Sequence, residues 1–305
     1  MDYVIYDVFT GTQLAGNPLA VVFDADGLET GRMQAIASEF NLSETVFVSA
    51  PEGKGHSARL RIFTPGRELP FAGHPTVGTA IALAERKIAA GMPDRGIDLV
   101  EVLEENIGPV RCAVRLHPGE PGFAEFDLPR RSEKMALTLE AADAAAALGI
   151  GHHEVGFENH VPSVWSAGVP FAFVPVRDLS VAAKVACNVA VWREVAPVHD
   201  GRTTSIYVYC RGGEHHKAAF HARMFGAGMG ISEDPATGGA AAAFSGAIHA
   251  FDRLPDGHHS LMIEQGLEMG RPSHIHLHVD VSGGEIAHGR IGGQAVKVAE
   301  GRLLV

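Results

Sequence analysis

Cysteine is scarce in this sequence, which bears on both its redox state and its metal binding. The three cysteines, Cys112, Cys187 and Cys210, lie far apart, and none belongs to a C-x-x-C motif. Disulfide frameworks and structural zinc sites need thiols at closer and more regular spacings. We therefore expect these three thiols to be reduced and buried.

Clusters of basic residues are also absent. The chain has 25 lysines and arginines against 36 aspartates and glutamates, and its formal net charge is -11. Neutralising the phosphates of a nucleic acid requires a concentrated basic surface. We therefore expect no nucleic-acid partner.

Long apolar runs of the kind that enter membranes are missing too. The first residues, Met1 to Asp7, lack a basic region followed by an apolar core, which favours a cytoplasmic protein. The longest uncharged stretch, 235–251, is mainly alanine and glycine and contains His249. Because a membrane span needs about 20 strongly apolar residues, we expect no membrane insertion.

Motifs for nucleotide cofactors and serine hydrolysis are missing as well. No G-x-G-x-x-G follows a predicted strand, and the chain has neither a Walker lysine pattern nor a G-x-S-x-G elbow. Histidine is abundant, with 17 residues, and His274, His276 and His278 alternate as they would on one face of a strand. A solvated strand face explains this spacing without zinc, and no nearby carboxylates complete a metal site. We predict no cofactor and no metal.

Hydrophobic residues make up 46% of the 305 residues, enough for two domains with their own cores. The turn-rich stretch 116–122 is the best candidate for the crossing point between them. A helix beginning near Pro75 and a stretch from Ala236 to Ile248 are apolar on all sides, so each should be enclosed. Periodicity predicts a further helix at 31–40 and strands at 3–9, 19–23, 45–49, 58–64, 123–128, 171–176, 204–209 and 221–225.

The two halves share one order of motifs. In the first half Arg61-Ile62-Phe63 leads to Glu68, then to Gly73 five residues later, and then to the apolar helix. In the second half Arg223-Met224-Phe225 leads to Glu233, then to Gly238 five residues later, and then to the other apolar stretch. The pattern predicts an internal duplication. Each half would be a mostly antiparallel, barrel-like sheet around one central apolar helix, which is an α+β fold.

Each half also has a glycine-containing loop that enters its apolar helix, at 71–76 and 234–239. The N-terminus of a helix presents unpaired N–H groups and the positive end of the helix dipole, which together bind anions. If the two loops faced each other across a pseudo-twofold axis, they would hold one small carboxylate-bearing molecule. Alternatively, each loop is only a helix cap with a glycine for close packing.

Three ionisable residues are candidates for acid/base chemistry in or near these loops. His74 and Asp234 lie in the loops, and Glu44 stands just before a predicted strand. Moving a proton at carbon needs one group to remove it and the same or another group to return it. From spacing alone, an ordinary carboxylate before a strand is the better interpretation of Glu44, and the pattern by itself does not single this residue out.

Five sequence blocks closely resemble motifs of the PhzF-like (phenazine biosynthesis-like) family. They occur in the family's order and extend over nearly the whole chain. The blocks are Gly16-Asn17-Pro18, Leu42-Ser43-Glu44-Thr45-Val46-Phe47, Phe63-Thr64-Pro65 with the run 68–76, Glu233-Asp234-Pro235-Ala236-Thr237-Gly238, and the run 264–273.

The resemblance implies the fold of diaminopimelate epimerase, with two pseudo-symmetric halves. Residues 1–117 plus about 284–305 would form the first domain and 118–283 the second, with the active site in the cleft between them. The resemblance also implies a homodimer and a cofactor-independent isomerase or epimerase. Glu44 would be the principal acid/base group, supported by His74 and Asp234, and the substrate contacts would be Gly73, Gly238, Gly239, Asn17, Ser43 and Thr237.

The sequence departs from this family and its relatives in two respects. The family often has serine after Ala-Thr-Gly, but Gly239 stands there, which leaves the substrate open. Related epimerases and racemases carry a cysteine in each facing loop, and none of the three cysteines here lies in those loops. A lyase or racemase on the same scaffold and a non-catalytic protein that binds a metabolite or another protein are the alternative interpretations.

Overall fold

The computed structural model describes residues 1–88, 91, 93–226 and 232–304. The chain divides into two compact units: the first unit comprises Met1–Pro129 and Ile291–Val305, and the second comprises Arg130–Arg290. In chain order the described elements are β1 (Asp2–Val8), β2 (Asn17–Val22), α1 (Thr30–Phe40), β3 (Glu44–Ser49), β4 (Ala58–Phe63), β5 (Glu68–Leu69), α2 (Gly73–Lys87), β6 (Ile97–Glu105), β7 (Gly108–Leu116), β8 (Gly122–Asp127), β9 (Glu133–Lys134), α3 (Ala141–Leu148), β10 (Ser163–Ser166), β11 (Pro170–Pro175), α4 (Leu179–Lys184), α5 (Val189–Val195), β12 (Val198–His199), β13 (Arg202–Thr203), β14 (Ser205–Arg211), β15 (Ala218–Phe225), α6 (Gly238–Asp252), β16 (Gly257–Gln265), β17 (Ser273–Ser282) and β18 (Glu285–Arg302).

The first unit is a closed barrel of eight strands. Its strand order is β1-β2-β3-β4-β6-β7-β8-β18, and β18 pairs with β1 to close the ring. The pairs β2/β3 and β4/β6 are parallel, and the pairs β1/β18, β1/β2, β3/β4, β6/β7 and β7/β8 are antiparallel. Among the described strands, each of these eight has a neighbour on both sides, so the barrel has no edge strand.

Helix α2 runs through this barrel and is buried continuously from Gly73 to Ala84. It packs against β1, β2, β3, β6, β7 and β8. Small residues allow this close fit: a Cβ added to Gly78 would lie 2.6 Å from Leu19 and 2.7 Å from Val8. The all-round apolar helix of the first half is therefore enclosed, as predicted.

The second unit repeats this plan with the strand order β9-β10-β11-β14-β15-β16-β17. Its parallel pairs are β11/β14 and β15/β16. Helix α6 packs against β9, β10, β11 and β17, and Phe244 lies among the rings of Phe173, Tyr209 and Phe220. A separate cluster around Trp192 joins α3, α4 and α5 to the sheet.

The strand registers show the duplication directly. The order β1-β2-β3-β4-β6-β7 recurs as β10-β11-β14-β15-β16-β17, with the parallel pairs at the same places. The matching ion pairs are Arg61 with Glu68 and Arg223 with Glu233, and both are bidentate. The α+β fold with two similar halves, each a sheet around an apolar helix, is confirmed.

The expected crossing point at 116–122 does not divide the units. This turn joins β7 to β8, and the two strands pair antiparallel, so the strand predicted at 123–128 belongs to the first unit. The division follows Pro129, and the return to the first unit begins at Ile291. A local turn signal does not reveal which strand the next segment will pair with.

The cysteines and histidines differ in part from the expectations. Cys112 and Cys210 are buried free thiols, but Cys187 is only partly buried. The three alternating histidines lie on one face of β17, which is half-buried rather than solvated. Among the described helices, none is long and apolar enough to cross a membrane.

Candidate active site

Glu44 is the first residue of β3 and is almost fully buried, with 8% of its surface exposed. Its position is set by parallel pairing, because Leu19 of β2 lies opposite it in the ladder. Asn41 ends helix α1 in the left-handed region, with φ at 51°, and turns the chain toward the strand. Ser43, half-buried, immediately precedes Glu44. Local structure therefore holds the Glu44 carboxyl at a fixed place inside the first unit.

His74 brings a second functional group to Glu44. It is the second residue of α2, and its Nε2 lies 3.4 Å from Oε2 of Glu44. On the other side, Nδ1 of His74 lies 3.4 Å from Nδ2 of Asn17, which begins β2 and is also buried. Three residues that are distant in sequence are thus adjacent in the first unit.

The His74 imidazole is neutral at ordinary pH. Burial lowers the pKa of His74 to about 3, and a hydrogen bond to the Pro18 backbone opposes this shift only in part. The contact between His74 and Glu44 is therefore not an ion pair, although the two groups are close enough for one. Among the described residues, Nε2 of His74 has no hydrogen-bond partner of good geometry. A buried ring nitrogen in that state is available to a ligand.

Among the described residues, the N-cap residue of α2 provides no side-chain cap for the N–H groups of Gly73 and His74. Ala72 is the N-cap residue and supplies no side-chain hydrogen bond, and the first turn contains no acidic residue. Gly73 opens the helix, so its backbone is not shielded by a side chain. This end of the helix has the properties of an anion site.

In the second unit, Asp234 and Thr237 form a hydrogen-bonded loop before α6. Asp234 N–H donates to the Met224 carbonyl at 3.0 Å, which ties the loop to β15. The Thr237 hydroxyl donates to Oδ2 of Asp234. Gly238 and Gly239 then open α6, whose N-cap residue Thr237 makes no side-chain cap bond.

Gln265, which was not among the predicted site residues, stabilises this second loop by hydrogen bonds. Its Nε2 donates to the Asp234 carbonyl at 2.7 Å and to the Thr237 hydroxyl at 3.1 Å, and its Oε1 accepts from the Thr237 N–H at 3.3 Å. Gln265 ends β16, 28 residues after Thr237, so no local spacing pointed to the contact. Gln265 does lie in the run 264–273, one of the blocks that resemble the PhzF-like family. That block was the signal that could have identified it.

The structure therefore groups the predicted residues by unit. Glu44, His74, Asn17, Ser43 and Gly73 lie together in the first unit. Asp234, Thr237, Gly238 and Gly239 lie together in the second unit. The prediction that both groups serve one substrate stays a prediction.

A separate cluster of possible metal ligands lies in the second unit. One ligand atom each from Glu158, His160 and Asp252 lies within 4.8 Å of the others. The guanidinium of Arg211 already occupies this cluster and donates to Glu158 and to Asp252 at 2.7 Å. Burial would raise the pKa of Asp252, but Arg211 and His160 hold it below its ordinary value. The cluster is an ion-pair network with its own cation.

Comparisons with known proteins agree along the whole chain. Residues 6–301 match the family model described as phenazine biosynthesis-like protein. The chain is 56% identical over 305 residues to an uncharacterised isomerase of Mesorhizobium japonicum, covering 100% of this chain and 99% of the relative. It is 33% identical over 302 residues to the trans-2,3-dihydro-3-hydroxyanthranilate isomerase of Pseudomonas aeruginosa, covering 98% of each chain.

A solved structure gives the same result for the fold. The chain superposes on a phenazine biosynthesis protein of the PhzF family from Bacillus anthracis with a TM-score of 0.86 and 26% identity. The match covers 100% of this chain and 99% of that structure. The predicted family resemblance is thereby confirmed.

Proposed function

Because this chain belongs to the phenazine biosynthesis-like family and is an isomerase, we propose that it moves a proton on a small carboxylate-bearing metabolite, with Glu44 as the acid/base group. The observation that carries the proposal is the buried pair of Glu44 and neutral His74 beside the uncapped N-terminus of α2. A carboxylate in this position can take a proton from carbon and return it to another atom. The chain's own side chains supply both steps.

The neighbouring groups suit the charge changes of such a reaction. Removing a proton from carbon next to a carboxylate leaves negative charge on the substrate, and fixed N–H dipoles stabilise developing charge of this sign. The first turn of α2, starting at Gly73, offers such dipoles. The neutral ring of His74 can pass a proton or donate a hydrogen bond without adding a charge that must be desolvated.

We propose a small acid related to trans-2,3-dihydro-3-hydroxyanthranilate as the substrate, since a relative that spans the whole chain is named for that compound. Gly239 is a reason to test other acids as well. A Cβ built on Gly239 meets no atom within 4 Å in the described part of the chain. We propose that the space beside Gly239 admits a substrate group that a larger side chain would exclude.

Replacement of Glu44 by glutamine tests the proposal. Glu44→Gln keeps the shape of the side chain but cannot carry the proton, so turnover should fall at least roughly 100-fold. Turnover of a panel of small amino, hydroxy and unsaturated acids would be followed by chromatography. The matched control is Glu39→Gln, the same change on an exposed glutamate of α1, which should turn over like the wild type.

Undiminished turnover by Glu44→Gln would remove Glu44 from the mechanism. Binding of an acid without turnover by the wild type, across the panel, would instead favour a metabolite-binding protein. A racemase with two thiol bases has no support in the structure. Burial raises the pKa of Cys187 to about 11 and that of Cys210 to about 12.

Asp234 is proposed to act in the same reaction as Glu44. Asp234→Asn keeps the acceptor for the Thr237 hydroxyl but removes the acid, and turnover should fall at least roughly tenfold. Residues that act as a unit give non-additive losses. The double variant with Glu44→Gln should therefore lose little more activity than Glu44→Gln alone. Fully additive losses would show that the two residues act independently.

A further inference from the structure

The duplication places Glu105 of the first unit and Gln265 of the second unit at equivalent positions. In the first unit Arg59 of β4 lies opposite Glu104 of β6, and in the second His221 of β15 lies opposite Glu264 of β16. Both pairs are parallel, and the next residue in each case ends a strand of nine residues. One half thus carries a carboxylic acid where the other carries its neutral amide counterpart.

Gln265 shows what this position does. It makes three hydrogen bonds, to the Asp234 carbonyl and to the N–H and hydroxyl of Thr237. These bonds fix the loop that opens α6. The amide does this without adding charge at the helix N-terminus.

Glu105 likewise contacts a threonine at the start of a helix, but Thr76 lies one turn inside α2, whereas Thr237 is the N-cap residue of α6. Glu105 is 2% exposed, and its Oε1 lies 2.7 Å from the hydroxyl of Thr76 in the first turns of α2. The same hydroxyl lies 2.8 Å from the carbonyl of Ala72, the N-cap residue. Glu105 therefore reaches the helix end that carries Gly73 and His74.

The hydrogen bonds that join Glu105, Thr76 and Ala72 contain too few protons unless the carboxyl group of Glu105 is protonated. A hydroxyl has one proton to donate. If Thr76 gives it to Ala72, its oxygen must accept from Glu105, which needs a proton on the carboxyl group. If Thr76 instead gives it to a charged Glu105, the carboxylate is buried with one neutral hydrogen bond. Burying a charge with so little compensation is costly.

The described groups that face Glu105 include no compensating cation. On α2 the facing group is Thr76, and on β7 it is the thiol of Cys112, whose pKa is raised by burial and by the carboxylates Glu105, Glu101 and Asp127. Lys87, the last residue of α2, pairs with Glu101 at 2.6 Å. Among the described residues, Oε2 of Glu105 has no hydrogen-bond partner.

We propose that Glu105 is a positioning residue that acts in its neutral form. Its carboxyl O–H donates a hydrogen bond to the hydroxyl oxygen of Thr76, and this bond holds the Gly73–His74 turn of α2. Glu105 is the counterpart of Gln265, which holds the Thr237–Gly238 turn of α6. The proposal deepens the proposed function and rests on it where substrate affinity is concerned, because the turn is the proposed anion site. A neutral Glu105 leaves the positive end of the α2 dipole to the substrate carboxylate.

Ionisation of Glu105 should weaken this turn. Burial raises the pKa of Glu105 to about 8. Above that pH the group loses its donor and adds a negative charge beside the anion site. If only the protonated form binds substrate, affinity falls roughly 30-fold between about pH 7 and about pH 9.5.

Glu105→Gln is the direct test, since it copies the residue that the second unit uses. The variant should keep kcat and KM near neutral pH, and its KM should lack the alkaline rise that Glu105 causes in the wild type. Glu105→Leu removes the donor and should raise KM with a smaller effect on kcat. An unchanged alkaline rise in Glu105→Gln would overturn the proposal.

A second readout needs no substrate and so separates this proposal from the proposed function. The wild type at about pH 6 should show the infrared carbonyl stretch of a protonated, buried carboxyl group that is missing in Glu105→Gln. The unfolding free energy of the wild type should also fall, relative to that of Glu105→Gln, as the pH rises from about 4.5 to about 8. Absence of the infrared band together with parallel pH profiles would show that Glu105 is ionised and would refute the inference.

Discussion

Three buried ionisable residues, His74, Glu105 and His221, fall into two groups, those held neutral and those held charged. His74 and Glu105 belong to the first group because burial dominates their surroundings. His221 belongs to the second. Its two ring nitrogens lie 3.1 Å from Glu264 and 2.9 Å from Glu268, and 1% of the residue is exposed. The neutral group lies at the proposed site, and His221 lies in the framework that supports Gln265.

His221 should make folding stability depend on pH. Burial alone would lower the pKa of His221, but its hydrogen bonds to Glu264 and Glu268 raise it to about 9. The folded state therefore binds a proton more tightly than the unfolded state, whose histidine titrates at about 6.5. The added stability is fully present below about pH 6.5 and is lost as the pH rises through about 9.

Replacing His221 by glutamine should remove this contribution, which amounts to at most about 3 kcal/mol. The difference in unfolding free energy between wild type and His221→Gln should shrink between about pH 6.5 and pH 9, as measured by urea denaturation. His152→Gln, on an exposed histidine, is the control and should show no such trend. A difference that stays constant over this range would mean that His221 is neutral when folded.

Among the elements, α2 and α6 have similar apolar sequences but meet different constraints at individual glycines. Gly78 of α2 faces Leu19 and Val8 at distances that leave no room for a side chain. Gly239 in the first turn of α6 faces open space among the described residues. Helix propensity favours alanine over glycine at both positions. Packing therefore decides whether a change from glycine to alanine stabilises or destabilises the protein.

Gly78→Ala should therefore destabilise the protein by about 1 to 3 kcal/mol, because the added methyl group overpacks the barrel interior. Gly239→Ala should be neutral or stabilise it by up to about 1 kcal/mol. Denaturant unfolding of both variants measures the two effects under one protocol. Equal effects of the two substitutions would contradict the packing found at Gly78.

Sequence patterns predicted the positions of helices and strands better than the contacts that these elements make. Continuous apolar runs were sufficient to place the enclosed helices, and family motifs pointed to Glu44 and His74. The contact of Thr76 with Glu105 joins residues 29 positions apart, and it depends on the register of β6 against β4. Local spacing carries no information about that register. For the same reason the hairpin of β7 and β8 was mistaken for a domain boundary.

For the whole molecule, the duplication of structure does not extend to the functional groups. The registers align Glu44 with Ser205, since these residues lie opposite Leu19 and Phe171 in equivalent parallel pairs. They also align Asp234 with Leu69, which lie opposite Met224 and Ile62. Each half therefore carries different side chains at these equivalent positions of the same framework. The expected homodimer stays a prediction.

The measurement that tests the central claim most directly is proton NMR in D₂O with trans-2,3-dihydro-3-hydroxyanthranilate and, if it does not react, the wider panel of acids. The account predicts solvent deuterium at the carbon that receives the proton, in the wild type and in Glu39→Gln. The rate in Glu44→Gln should be lower by at least roughly 100-fold. Deuterium incorporation at an unchanged rate in Glu44→Gln would contradict the account, because the proton would then be moved by another group.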